Sequence, residues 1–177
     1  MFEFLDPLRE ITTLSVFIKM FLAILCGGAI GIEREHKRRT AGFRTHILIC
    51  LGACMTTMVS HFMFSYLHLY TDVSRLGAGV VAGIGFIGAG TIIVTKRRQV
   101  KGLTTAAGLW TCAIIGLAVG AGYFEAAVFS TIVILLAEIF FSRFEYWVLD
   151  NARNINIFVE YSGTDNLDNV IRTLKTY

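Results

Sequence analysis

Two charged side chains lie inside long apolar runs of this sequence, where packing alone does not explain them. Glu138 lies within the run 126–144, and Lys19 lies within the run 12–32. If these runs cross a bilayer, each charge at mid-span costs at least about 2.5–3.5 kcal/mol. Glu138 therefore predicts a polar path or an ion pair inside a bundle, with Arg143 as a candidate partner. Lys19 predicts either a polar path or a side chain that extends to the membrane surface.

A second set of polar residues lies where apolar runs end beside basic loops. Its members are Glu33, Arg34, Glu35, Arg44, Thr45, His46, Lys101, Thr104 and Thr105. They indicate either a functional polar cluster or a structural latch, in which Glu33 and Glu35 pair with the nearby arginines, namely Arg38, Arg39 and Arg44. Glu33 and Glu138 are also candidate ligands for Mg²⁺, which prefers octahedral oxygen ligands and keeps several waters. With so few acids we do not expect an all-protein cage.

His46, Cys50 and Cys54 recur every four residues and therefore share one helix face. One imidazole and two thiols could bind a soft metal, but close packing is the favoured interpretation. His61 and His68 could titrate with external pH, and here a role at the membrane interface is favoured. No nucleophile elbow, phosphate-binding loop or zinc-enzyme motif is present in the sequence, so we expect no enzyme.

Apolar residues dominate the composition and form five runs. They make up 55% of the 177 residues, and charged residues make up 16%. Soluble domains average about 45–50% apolar residues and about 25% charged residues. Spanning a bilayer takes about 20 mostly apolar residues. The runs that fit are 12–32, 45–67, 76–95, 103–120 and 126–144. They predict an all-α polytopic membrane bundle of five helices over residues 1–148. The chain begins with acidic residues, unlike a signal peptide, so we expect the first run to stay in the mature protein.

Basic residues set the predicted orientation. Five of them lie in 33–44 and four in 96–102, whereas 68–75 holds only Arg75 and 121–125 holds none. The positive-inside rule then places the N-terminus outside and the C-terminus in the cytoplasm. These loops account for the net charge of +3, so the predicted partner is the lipid headgroup surface and not nucleic acid.

Small residues recur along several of the predicted spans. Those expected to allow close helix packing are Gly27, Gly31, Gly83, Gly88, Gly108, Cys112, Gly116 and Gly120. An alternative for the dense stretch 85–90 is a bend or unwound backbone beside a polar cavity. The same faces suit a homo-oligomer or contact with other membrane proteins.

Residues 149–177 differ from the rest of the chain. The stretch 154–161 alternates like a strand, and Leu167, Val170, Ile171 and Leu174 form a helical stripe. One strand and one helix cannot bury a core alone. This segment therefore predicts the start of a small, incomplete α/β domain.

Three segments resemble the signatures of a known family. Residues 28–53 (beginning GAIGIERE), 83–92 (GIGFIGAGTI) and 100–110 (VKGLTTAAGLW) are similar to those of the MgtC/SapB membrane proteins. The resemblance implies a bacterial inner-membrane protein with a five-helix domain and a cytoplasmic ACT-like tail. It also implies a link to growth at low magnesium and to survival inside macrophages. Implied partners are the F-type ATP synthase, which such proteins inhibit, and a P-type magnesium transporter.

Three functional hypotheses remain at this point. The first is a regulatory membrane protein that supports magnesium homeostasis and virulence through contact with other membrane proteins. The second is a transporter or channel for Mg²⁺ or another ion, which rests on Glu138, the glycine-rich third run and a faint repeat of the first hairpin in the second. The third is an enzyme at the inner membrane surface that uses the polar set around Glu33 and His46.

Overall fold

The fold is mostly helical in the described part of the chain. A computed structural model describes residues 3–69, 72–95, 99–150 and 172. Its helices are α1 (Thr13–His36), α2 (Phe43–Ser65), α3 (Arg75–Gly90), α4 (Leu103–Gly120) and α5 (Phe124–Asp150), after a short 3-10 helix at Glu3–Leu8. Between α3 and α4, strands β1 (Ile93–Val94) and β2 (Val100–Lys101) pair antiparallel, with Ile93 opposite Lys101.

Four of these helices, α1, α2, α4 and α5, are long and apolar enough to cross a membrane. Helix α3 is apolar but has only 16 residues. At 1.5 Å per residue it is about 24 Å long, less than the hydrocarbon core of about 30 Å. The predicted run 76–95 was too long at its end, because the chain leaves the helix after Gly90 and enters the β-hairpin. A fifth crossing and the orientation of the bundle stay predictions.

Helix α3 is continuous through the glycine-rich stretch that could have been a break. It runs without interruption from Arg75 to Gly90. Its last turn tightens, because the backbone N–H groups of Thr91 and Ile92 donate to carbonyls three residues earlier, and Thr91 Oγ1 donates to Gly88 O at 2.7 Å. The irregular backbone therefore lies beyond the glycines and not within them.

Small residues determine how closely α1, α2 and α4 approach one another. A Cβ added at Gly27 would lie 2.7 Å from His46 O, and one at Gly31 would lie 2.7 Å from Phe43 Cα. Gly116 and Gly120 lie against the backbone carbonyls of Cys50 and Cys54 in the same way. No side chain fits at these positions without moving a helix, so they define the central packing of the bundle.

Helix α3 packs less closely. Gly88 approaches Ala106 of α4, where an added Cβ would meet the Ala106 Cβ at 3.3 Å. In contrast, a Cβ at Gly83 or Gly79 would meet nothing within 4 Å. The packing role expected for Gly83 is therefore not found among the described residues, and its face of α3 is open.

The chain divides into two compact units, Met1–Phe141 and Ser142–Tyr177. The helical bundle up to Phe141 belongs to the first unit. The second holds the last residues of α5. The strand and helix predicted for 154–177 lie outside the described residues, as do Lys96, Arg97 and Arg98 of the second basic loop.

Candidate functional site

Helices α1 and α5 bring four charged side chains together, here named the Arg34 cluster: Glu33, Arg34, Lys37 and Glu138. Arg34 Nη2 lies 2.5 Å from Oε2 of Glu33 and 2.5 Å from Oε2 of Glu138. Arg34 Nε also donates to Glu33 Oε2. Lys37 Nζ lies 2.8 Å from Glu33 Oε1 and donates to the Glu138 backbone carbonyl at 3.1 Å. The guanidinium thus holds both carboxylates at once.

The sequence around Arg34 explains its burial. Gly27 and Gly31 precede it by seven and three residues, so all three lie on one face of α1. That face packs closely on α2, which leaves the Arg34 side chain only 1% exposed. Glu33 and Lys37 are four residues apart on the neighbouring face and pair along the helix. Two acids and two bases cancel, so the cluster carries no net formal charge.

His46 lies beside this cluster and is fully buried. Its Cβ would contact a Cβ added at Gly31 at 3.2 Å, one turn before Arg34. Its Nδ1 lies 2.9 Å from Gly42 O, so Nδ1 carries the proton and donates to that carbonyl. The charges of Arg34, Glu138 and Glu33 all act on the ring. Among the residues that the structure describes, His46 Nε2 and Arg34 Nη1 have no hydrogen-bond partner.

A cleft of about 340 Å³ lies between α4 and α5, next to the cluster. Glu138 is the charged residue of its wall. The remaining lining residues are small, apolar or hydroxyl-bearing: Thr104, Ala107, Gly108, Thr111, Ile134, Ala137 and Phe141. Gly108 separates the cleft from His46, because a Cβ added there would lie 3.8 Å from His46 Nε2. The cleft thus has mostly apolar walls, with Glu138 and the hydroxyl-bearing Thr104 and Thr111 as its polar residues.

The other residues of the predicted polar set are spread over the bundle. Thr105 is buried, Thr45 is half-buried, and Glu35, Arg44 and Lys101 are exposed. Glu35 Oε2 accepts a hydrogen bond from the Phe43 backbone N–H at 2.8 Å and so caps the start of α2. Glu33 pairs with Arg34 and Lys37 rather than with the loop arginines, and Glu138 pairs with Arg34 rather than with Arg143.

Lys19 lies far along α1 from this cluster and does not extend to the surface. Its side chain is buried, and Nζ donates to Arg9 O at 3.3 Å. Arg9 itself pairs with Glu125 at 2.7 Å and with Asp6 at 3.1 Å. The buried ammonium therefore ties the segment before α1 to the bundle.

The candidate metal ligands do not assemble into a metal site in the described part of the chain. Over the described ranges 3–69, 72–95 and 99–150, no three His, Cys, Asp or Glu side chains come together as a metal site. Cys50, Cys54 and Cys112 are free thiols in the apolar core, where Cys112 Sγ donates to His46 O at 3.3 Å. Both candidate magnesium ligands face Arg34, which competes with any cation for them.

Four long apolar helices and an ion cluster inside them define a multi-pass membrane protein. The family model described as "MgtC family" matches residues 20–147. The chain therefore belongs to the MgtC family, and it is a multi-pass bacterial membrane protein.

Three curated relatives show the extent of the similarity. The chain is 36% identical over 156 residues to "Putative magnesium transporter YhiD" of Escherichia coli K12, with 86% of this chain and 72% of that protein covered. It is 34% identical over 172 residues to protein SapB of Bacillus subtilis, with 90% and 72% covered. It is 41% identical over 123 residues to protein MgtC of Salmonella typhimurium 14028s, with 69% and 50% covered. No solved structure matches the chain.

Proposed function

We propose that this protein supports growth at low magnesium by acting on other membrane proteins, and that it does not carry Mg²⁺ through its own bundle. It would lie in the bacterial inner membrane with five crossings, the N-terminus outside, and no enzymatic activity. Following the resemblance to the MgtC/SapB family, the proposed partner is the F-type ATP synthase. The proposed setting is survival inside macrophages.

The Arg34 cluster is the observation that carries this proposal. Mg²⁺ requires oxygen ligands in near-octahedral geometry and gives up its waters reluctantly. Glu33 and Glu138 are already held by Arg34 and Lys37 at 2.5 to 2.8 Å. A divalent cation would have to displace the buried Arg34 and the partly exposed Lys37, or add two positive charges to a neutral cluster. Either step opposes the passage of Mg²⁺ at this place.

The open face of α3 supports contact with a partner. Gly79 and Gly83 lie four residues apart on that face, and neither has a neighbour within 4 Å of an added Cβ. Small residues allow membrane helices to approach closely. Phe86 lies on the same side of α3 and is 86% exposed, so this face joins small residues to one protruding aromatic ring, whereas exposed positions of α5 such as Phe129 and Val133 are bulky.

Reconstitution tests both halves of the proposal. Liposomes that hold the full chain and an internal Mg²⁺ indicator are expected to show no saturable uptake. Co-reconstituted with the F-type ATP synthase, the chain is expected to reduce ATP-driven proton pumping. The variant Gly83→Leu is expected to lose this inhibition, and the control Val133→Leu on α5 is expected to retain it. Saturable Mg²⁺ uptake that Glu138→Gln abolishes would overturn the proposal.

A transporter for Mg²⁺ or another ion is the second candidate. The cleft between α4 and α5 favours it, because Glu138 forms part of the cleft wall. The name of the Escherichia coli relative also describes a magnesium transporter. The same flux assay decides between the two candidates, and the loss of uptake in Glu138→Gln would assign the path to this cleft.

A further inference from the structure

A short segment before α1 lies at the end of the bundle opposite to the Arg34 cluster. This segment, residues 6–12, is here named the N-terminal strap. Three consecutive backbone carbonyls of the strap accept side-chain hydrogen bonds from α1 and from the residue that follows α2. The pairs are Lys19 Nζ with Arg9 O at 3.3 Å, Ser15 Oγ with Glu10 O at 2.5 Å, and Tyr66 Oη with Ile11 O at 3.0 Å. Side chains from two elements of the bundle therefore hold the strap in one position.

The side chain of Arg9 connects the strap to α5. Its Nη2 lies 2.7 Å from Oε1 of Glu125, which is in the first turn of α5. Its Nε lies 3.1 Å from Oδ1 of Asp6, within the strap itself. Gly122, just before α5, has a φ of +79°, and a Cβ added there would lie 3.3 Å from Arg9 Cα. The strap thus lies directly on the turn between α4 and α5, and the Arg9–Glu125 ion pair joins it to α5.

Lys19 lies beneath the strap. Side chains of an α-helix point back toward its N-terminus, and Lys19 is six residues, about 9 Å, beyond the first residue of α1. Its side chain therefore reaches the strap at Arg9 O and is only 1% exposed. No carboxylate in the described part of the chain pairs with it, and burying a charge in this way costs free energy that hydration would return. The buried ammonium thus favours an open strap, and the contacts of the strap must oppose it.

We propose that the N-terminal strap is a lid over Lys19, and that the Arg9–Glu125 ion pair is the latch that holds this lid closed. The side chains of Arg9 and Glu125 are 21% and 12% exposed, so charged groups in solution can compete for either partner. When the latch opens, the strap leaves α5 and Lys19 loses its contact with Arg9 O. Water and anions then reach the ammonium from this end of the bundle. This inference does not rest on the proposed function.

The other contacts of the strap fit the role of latch less well. Asp6 is 59% exposed and belongs to the strap, so its pair with Arg9 moves with the lid. The Tyr66 hydroxyl makes a neutral hydrogen bond, and such bonds are about half as strong as those between charged groups. Thr12 and Ser15 exchange hydrogen bonds as a capping box at the start of α1. They join the strap to α1 and therefore form the hinge of the lid.

Amine labelling of the full chain in lipid nanodiscs measures how often the lid opens. A water-soluble acetylating reagent modifies accessible lysines, and mass spectrometry gives the rate at each one. Lys101 is exposed and serves as the internal reference. A buried amine reacts only in the open state, so the ratio of the Lys19 rate to the Lys101 rate follows the open population.

Wild-type Lys19 is expected to react much more slowly than Lys101. Glu125→Gln is expected to raise the Lys19 to Lys101 ratio about tenfold, which corresponds to about 1.4 kcal/mol. Asp6→Asn is the matched control, because it also removes a carboxylate from Arg9 but leaves the contact of Arg9 with α5. Its ratio is expected to stay near that of the wild type.

Exchange of the two charges tests the latch in a second way. Arg9→Glu places two carboxylates together and is expected to open the lid. The double variant Arg9→Glu/Glu125→Arg restores an ion pair of opposite polarity and is expected to return the Lys19 to Lys101 ratio toward the wild-type value. A double variant as accessible as Arg9→Glu would count against an ion-pair latch.

The buried thiols of the core distinguish lid opening from unfolding. These fully buried thiols are those of Cys50, Cys54 and Cys112. A maleimide is expected to leave them unlabelled in every variant while Lys19 reacts faster in Glu125→Gln. The proposal is overturned if wild-type Lys19 reacts as fast as Lys101, if Glu125→Gln leaves the ratio unchanged, or if Lys19 reacts faster only when the core thiols react as well.

Discussion

Replacing Arg34 with Met removes the central cation of the Arg34 cluster and leaves a side chain of similar length. Glu33 retains Lys37 at 2.8 Å. Glu138 loses the one ion-pair partner that its side chain has among the described residues. Arg34→Met therefore leaves the Glu138 carboxylate at membrane depth without its ion pair, and the nearby Lys37 ammonium is bound to Glu33 and to the Glu138 backbone carbonyl.

The size of the effect follows from burial. Breaking a buried ion pair by removing one partner costs about 3–5 kcal/mol. An exposed pair is worth about 0–1 kcal/mol. Arg34 is 1% exposed and the Glu138 side chain 20%, so water still reaches part of the carboxylate. We expect Arg34→Met to lower the free energy of unfolding by about 3 kcal/mol, the low end of the range for buried pairs.

Reversible unfolding in mixed micelles, followed by circular dichroism, measures this change. Arg44→Met is the matched control, because Arg44 is exposed and surface substitutions are usually within about 0.5 kcal/mol. The double variant Arg34→Met/Glu138→Gln removes the uncompensated charge and should recover part of the loss. An effect of Arg34→Met below about 1 kcal/mol, the size of a surface pair, would refute the reasoning. So would a double variant no more stable than Arg34→Met.

Two further predictions test local features. Gly116→Ala should destabilise the bundle by about 1–3 kcal/mol, because overpacking a close contact forces backbone shifts. Here the added methyl group would meet the Cys50 carbonyl. Equal free energies of unfolding of Gly116→Ala and Gly83→Ala in mixed micelles would contradict this. Asp72, outside the spans, accepts hydrogen bonds from the Ser74 N–H and hydroxyl, which lower the pKa of Asp72 below its usual 3.8. Its contribution is therefore complete above pH 3.8 and is lost as the pH falls through the lower folded value. Hydrogen exchange at the start of α3 should rise in that acid range in the wild type but not in Asp72→Ala, and equal acid dependence in both would exclude this role.

Features that depend on nearby residues could be predicted from the sequence. Four long apolar helices follow from composition, because the length of an apolar run decides whether it spans a membrane. The Glu33–Lys37 pair also follows from spacing, since residues four apart meet on a helix. The spacing of Glu33 and Lys37 indicates this pair, although the predicted polar set does not include Lys37.

Features that depend on two distant segments could not be predicted in this way. Gly83 and Gly116 have similar local contexts, but Gly116 lies against the Cys50 carbonyl and Gly83 has no neighbour within 4 Å. Likewise, the run 76–95 predicts one continuous apolar span. Its end at Gly90 depends on β1 pairing with β2 across the loop.

The sequence by itself determined that this is a multi-pass membrane protein of the MgtC type and that Glu138 needs a partner. Its apolar runs and signature segments contain that information locally. Only the tertiary structure decided that the partner is Arg34, more than 100 residues earlier in the chain. It also decided that His46 of α2 packs between α1 and α4, because Gly31 and Gly108 carry no side chain there. The physical reason is that an ion pair or a cleft between helices depends on which faces meet, and the packing of whole helices sets that.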